Sequence, residues 1–239
     1  MKFQILSAAA LLFVCTGFAQ TAEQTDSENS ASAKQEWLQT FTSVEINAPL
    51  DIVFIRIPAN EAPKIIYDTK GSYTTKFRFD IKNRVLRINE KVDSRRPEST
   101  KVTVYYNTLE SLSIIDATAT FREPITAKLF NLTLGSRASL TATVDIQDLD
   151  MTLTGNSLAK LDGSARYLTL DVSNGEVDAI NLSVVSARIN AAAGGSATIN
   201  ATERLEATTS TNGTVYYKKE PPIVRSSVRF MGGNIAQAK

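Results

Sequence analysis

The sequence predicts an all-β chain: a right-handed parallel β-helix, or solenoid, with coils of about 19 residues, preceded by an N-terminal β-strand region. Three observations carry this. Turn-forming pairs at Ser136-Arg137, Gly155-Asn156, Asn174-Gly175, Ala193-Gly194 and Asn212-Gly213 recur at a constant step of 19 residues. A fixed period near 20 marks a repeat in which each unit buries its apolar face only against its neighbours. The residues before each turn alternate: Phe130, Leu132 and Leu134, then Leu149, Met151 and Leu153, then Leu168, Leu170 and Val172, then Ala187, Ile189 and Ala191. Period-two spacing sends alternate side chains the same way, so stacked coils turn these sets into columns. Finally, no stretch of the mature chain reads as a helix, and β-branched and aromatic residues dominate.

The elements follow in order. One lysine, an apolar run from Phe3 to Phe18 and small residues before Gln20 read as a signal peptide over 1–19, cleaved after Ala19. The run is too short for a membrane span. Cys15 raises a lipid anchor as the alternative, but Val14 stands where a lipobox wants a small residue. If Cys15 leaves with the leader, the exported chain has no cysteine and coheres by burial and backbone ladders alone. Residues 20–36 are small and polar, a flexible tether.

A single domain is expected from 37 to 239, opening at Trp37. Val44 with Ile46, then Ile52 with Phe54, read as strands around the break Ala48-Pro49. Ile65 to Tyr67 is a third. Phe77, Phe79 and Ile81 alternate with charged residues, and Asn83-Arg84 turns the chain into Val85–Ile88 as a hairpin. Val102, Val104 and Tyr106, then Leu109, Leu112 and Ile114, precede the repeat region at about 116–213. After Gly194-Gly195 the register slips by a residue or two before Leu205 and Ala207. The alternating sets taper from Phe and Leu to Ala, so the core should narrow toward the C-terminus. Pro221-Pro222 should end the stack, leaving 214–236 as a C-terminal cap that protects the last edge.

The order of these features resembles the bacterial putative auto-transporter adhesin family with a head GIN domain. The residues concerned are Phe41-x-x-Val44-x-Ile46, Val85-Leu86-x-Ile88, the passage Val102 to Ile114, the turn-glycine repeats and the closing Gly232-Gly233-Asn234-Ile235. The resemblance covers roughly 38 to 236 and departs at Asp116-Ala117, where a Ser-Gly turn is expected. It implies an exported β-helical envelope protein and carries over no catalytic residues.

Composition narrows the chemistry. With no histidine there is no His-based triad, His metal site or imidazole acid–base group. The formal charge of +1 gives no global pull toward nucleic acid or anionic lipid, although residues 56–101 carry a local +6 and the repeats lean acidic. Asp145, Asp148 and Asp150 form the densest acidic group. They are candidates for a polysaccharide lyase or hydrolase, or for Ca²⁺. Their pattern does not recur, since one step on from Asp150 is Thr169 and one step on from Asp171 is Asn190. Tyr105-Tyr106 and Tyr216-Tyr217 should each present one ring to solvent.

The expectation is therefore a non-catalytic envelope or surface interaction module, an adhesin, with no catalytic, cofactor or metal site. Its partner would be an envelope glycan or protein. Nucleic acid is not expected as a partner, nor is a stable membrane span after leader cleavage. The alternatives are a carbohydrate-active β-helix enzyme and a structural periplasmic scaffold. Export would place it in the periplasm, on the outer-membrane surface or outside the cell.

Overall fold

The computed structural model describes residues 33–69, 76–91, 98–230 and 232–238. The leader at 1–19, Cys15 and most of the expected tether lie outside them. The tether was expected to reach residue 36, but the strand β1 (Lys34–Trp37) already begins there and pairs antiparallel with β4 (Lys64–Asp68). Trp37, expected to open the folded part, stands 67% exposed at this margin.

The repeat region is a parallel stack of β10 (Ile125–Gly135), β11 (Ser139–Thr154), β12 (Leu158–Ser173), β13 (Glu176–Ala192) and β14 (Ser196–Ser210). Phe130, Leu149, Leu168, Ala187 and Leu205 lie one above another, as do Leu132, Met151, Leu170, Ile189 and Ala207. All are buried. Each large aliphatic side chain so buried contributes about 1.5–3 kcal/mol relative to exposure. Leu205 restores volume above Ala187, so the expected taper does not continue along this column.

The sequence pattern revealed one wall of the solenoid and missed the other. Each long strand is two segments joined by a bend where alternation fails. In β11, Ile146 and Leu149 are both buried, with Gln147 and Asp148 between them turned outward. The same break falls between Ala165 and Leu168, and between Val184 and Ala187. Before the bend a second set of columns runs through Leu140, Ala159, Val177, Ala197 and Val215. Two consecutive outward residues reverse the phase of a strand, so a single period-two reading loses track there.

At the corners the backbone enters the left-handed region at Ser136 (φ 55), Asn156 (φ 59), Asn174 (φ 54), Ala193 (φ 49) and Asn212 (φ 62). Asp116 takes the same conformation (φ 64) and accepts an ion pair from Arg137 Nη2 at 3.2 Å, so the departure at Asp116-Ala117 still makes the first corner. Aspartate is among the few residues that enter this region readily. In the pair Asn212-Gly213 the asparagine takes the positive φ and Gly213 serves as a close approach: a β-carbon there would sit 2.1 Å from the Ala191 carbonyl oxygen.

The N-terminal strands join the same stack out of chain order. They are β2 (Ser43–Asn47), β3 (Leu50–Arg56), β5 (Phe77–Lys82), β6 (Val85–Glu90), β7 (Thr100–Tyr106), β8 (Ser111–Ile115) and β9 (Thr118–Phe121). Val44 lies between Leu86 and Leu112, and Ile52 between Val102 and Ala119. The coil laid down first in the chain is thus sandwiched between two later ones. Beyond β6 and β7 the ladder turns antiparallel, through β5 on β6 and β4 on β7. The hairpin expected at Asn83-Arg84 is present, with both residues left-handed (φ 54 and 62).

The slip expected after Gly194-Gly195 is also present. The β13–β14 ladder shifts twice, between Ala179 and Ser183 and between Val184 and Ser186. The prolines do not end the stack. Pro221-Pro222 separate β15 (Thr214–Tyr217) from β16 (Ile223–Arg229), and β16 resumes parallel pairing on β14 while β17 (Asn234–Gln237) pairs on β15. The segment expected as a cap is one more coil, because the prolines fall in a connection where no ladder bond is needed.

Candidate functional site

The outward face of the wall after the bend carries a cluster assembled one coil at a time. Thr169, Arg188, Glu206 and Arg225 form a single outward column. Glu206 accepts hydrogen bonds from Arg188 Nε and Arg204 Nε, each at 3.1 Å, and lies 3.6 Å from Arg225 Nη1. Three guanidinium groups face one carboxylate. The bond from Arg204, then that from Arg188, holds the Glu206 carboxyl below the usual glutamate range. Beside the cluster Tyr167 is 44% exposed, with the Arg166 guanidinium 5.4 Å from its ring centroid. Tyr167, Ser186, Arg188, Arg204 and Glu206 line a shallow groove of about 380 Å³. Guanidinium forks suit carboxylate or phosphate groups, and a half-exposed ring offers a flat stacking surface. Such a surface can bind a charged or planar group.

The aspartates singled out in the sequence are divided by the bend. Asp145 lies before it and accepts a hydrogen bond from Ser164 Oγ at 3.0 Å, whereas Asp148 and Asp150 lie at and beyond it. A broader groove of about 710 Å³ at the bend is lined by Asp145 and Glu203. About three coil steps at about 4.8 Å each separate them. That exceeds the roughly 5–9.5 Å that paired glycosidase carboxylates require. Among the described residues no three His, Cys, Asp or Glu side chains gather as a metal site would need. The pair Asp171 and Asn190, one step apart, is joined by a bond from Asn190 Nδ2 to Asp171 Oδ1 at 2.8 Å.

The tyrosine pairs behave differently from each other. Tyr105 is half-buried with Lys64 Nζ 4.5 Å over its ring, while Tyr106 is buried edge-on to Phe54 and Phe121. At the second pair Tyr217 packs against the core and Tyr216 is half-buried. The basic N-terminal stretch is partly consumed internally: Arg87 pairs with Glu45 at 2.9 Å, and the Arg56 guanidinium donates to the Thr126 hydroxyl. Lys70, Arg95 and Arg96 lie outside the described residues.

The sequence reading missed the Glu206 cluster. The signal available was the spacing of Glu206 and Arg225, which stand one 19-residue step apart; Arg188 and Glu206 do not. Among the described residues no helix is long and apolar enough to cross a membrane.

Comparison with known proteins places the fold. A putative adhesin from Bacteroides fragilis superposes with a TM-score of 0.76 at 19% identity, covering 86% of this chain and 96% of that one. A putative adhesin from Parabacteroides merdae gives 0.63 at 20% identity, covering 87% and 96%. A putative lipid binding protein from Parabacteroides distasonis gives 0.63 at 15% identity, covering 88% and 98%. At these identities the likeness shows the fold. A search of curated proteins returned no match. Residues 40–221 match the model of the putative auto-transporter adhesin, head GIN domain, family, and the chain belongs to that family.

Proposed function

We propose that the chain is an exported, non-catalytic interaction module that binds an envelope glycan or protein through its solenoid wall. The observation that carries this is the outward cluster of Arg188, Arg204 and Arg225 about Glu206, set beside the exposed ring of Tyr167. A stacked β wall holds such side chains on a rigid support, which lowers the ordering cost of binding. The adhesin names within the family and among its structural neighbours support the same reading. The module is one folded domain behind a cleaved leader, located in the periplasm, on the outer-membrane surface or outside the cell.

The test is binding of the purified chain to envelope glycans, peptidoglycan and matrix proteins, with polymer cleavage followed in the same wells. Saturable binding without cleavage, weakened by Arg188→Ala and Arg225→Ala, supports the module. Cleavage overturns it in favour of a carbohydrate-active enzyme and directs attention to Asp145, Asp148 and Asp150. No binding, together with stable self-assembly, favours the scaffold. Sequencing the N-terminus of the exported protein tests the leader, with Gln20 expected as the first residue.

A further inference from the structure

The two ends of the stack are finished differently. At one end the coil of β6 and β7 is covered by antiparallel β5 and β4, and β1 extends that cover. At the other, among the described residues, β16 pairs with β14 alone and β17 with β15 alone, so each keeps a free edge. Among the described residues the apolar column also ends uncovered here. Leu205 and Ala207 are buried, but Val224 above Leu205 is half-buried and Val228 is 57% exposed. Phe230, at the corner that follows, is 86% exposed. A free row of backbone donors and acceptors beside exposed apolar side chains is a template for another strand.

The charges at this end discriminate among possible occupants. Arg225 and Arg229 project from β16, and Lys218 and Lys219 stand in the preceding connection, with Glu220 the one acidic residue beside them. Arg225 shares Glu206 with two other arginines, and among the described residues no carboxylate pairs with Arg229. A second copy docked edge to edge would add its own basic residues to these, which like-charge repulsion opposes. The inward positions Val224, Ser226 and Val228 carry no charge that would oppose an apolar neighbour.

We propose that this end of the solenoid is a strand-addition site for an extended partner segment in which apolar side chains alternate with acidic ones. The apolar side chains would cover Val224 and Val228, the acidic ones would face Arg225 and Arg229, and the free edge of β16 would supply the backbone bonds. Backbone pairing gives such sites affinity, and alternate side chains give them specificity.

The experiment follows amide hydrogen exchange of the full chain with two synthetic peptides, one alternating valine with glutamate and one alternating valine with lysine. The glutamate peptide is expected to slow exchange across Ile223–Arg229 and the lysine peptide to leave it unchanged. The double variant Arg225→Glu, Arg229→Glu should reverse that preference, shifting each affinity about tenfold. Exchange in β11–β13 reports whether the variant remains folded. Equal protection by both peptides, or none by the glutamate peptide, overturns the proposal. So does concentration-dependent protection of β16 by the chain alone, which would make a second copy the occupant.

Discussion

A β-carbon placed on Gly163 would stand 2.1 Å from the carbonyl oxygen of Val144, its partner one coil away, and Gly163 itself sits at φ 109. Neither the contact nor the dihedral can be relieved by a side-chain rotation. Gly163→Ala is expected to destabilise the fold by about 3 kcal/mol or more. Gly194, at φ 77 with open space around it, is the control; Gly194→Ala should cost about 1 kcal/mol. Urea midpoints of the two variants measure the difference.

The Tyr106 hydroxyl is buried without a hydrogen-bond partner among the described residues. Burial is the main reason that its pKa is pushed up from 10.0 to about 12, with Arg56 opposing and Glu123 assisting. Between those pH values the unfolded chain releases a proton that the folded chain keeps. This contribution is therefore fully present below about pH 10 and is lost as pH rises toward 12. Tyr106→Phe should leave stability at neutral pH within about 1 kcal/mol of the parent, since it removes an unsatisfied group. It should also lessen the alkaline loss of stability measured between pH 9 and pH 12.

Glu206 should titrate below an ordinary glutamate because Arg204 and Arg188 hydrogen-bond its charged form. A carboxyl shifted this way contributes stability above its unfolded pKa and loses it as pH falls through the folded one. A carbon-detected NMR titration is expected to find the Glu206 midpoint lowered in the parent chain. Arg204→Gln should move it back toward the usual value, more than Arg188→Gln does. High salt should narrow the gap, since the cluster is partly open to solvent.

Phe54 is buried between rings, stacked on Phe121 with centroids 4.6 Å apart, while Trp37 is largely in solvent. Phe54→Ala should cost about 3–5 kcal/mol. Trp37→Ala should cost under about 0.5 kcal/mol. Because Trp37 is the one tryptophan in the chain, native fluorescence should be readily quenched by iodide. Emission close to that of a buried indole would contradict the placement of β1.

Much of the architecture was legible because it is local. Alternation in Leu149, Met151 and Leu153, and a corner residue that tolerates positive φ at Asn156 or Asn174, are properties of each coil taken alone. Repeating them at 19 residues determined the stacking, since an unpaired coil leaves its backbone and apolar face in water. The hairpin at Asn83-Arg84 was legible for the same reason. The covering of the N-terminal coil was not, because antiparallel pairing of β4 with β7 joins segments that no periodic signal links.

By itself, then, the sequence determined a parallel solenoid, its coil length, one wall of its core and the absence of histidine chemistry. Only the tertiary structure decided the second wall, the insertion of residues 43–56 between later coils, and the Glu206 cluster. The cluster shows why. Under a strict 19-residue repeat Arg188 would lie beneath Ala207, which points inward; the two register shifts between β13 and β14 place Glu206 over it instead. A periodic sequence specifies which residues alternate, but the irregularities in the ladder select which outward side chains meet, and those depend on backbone pairing across the whole coil.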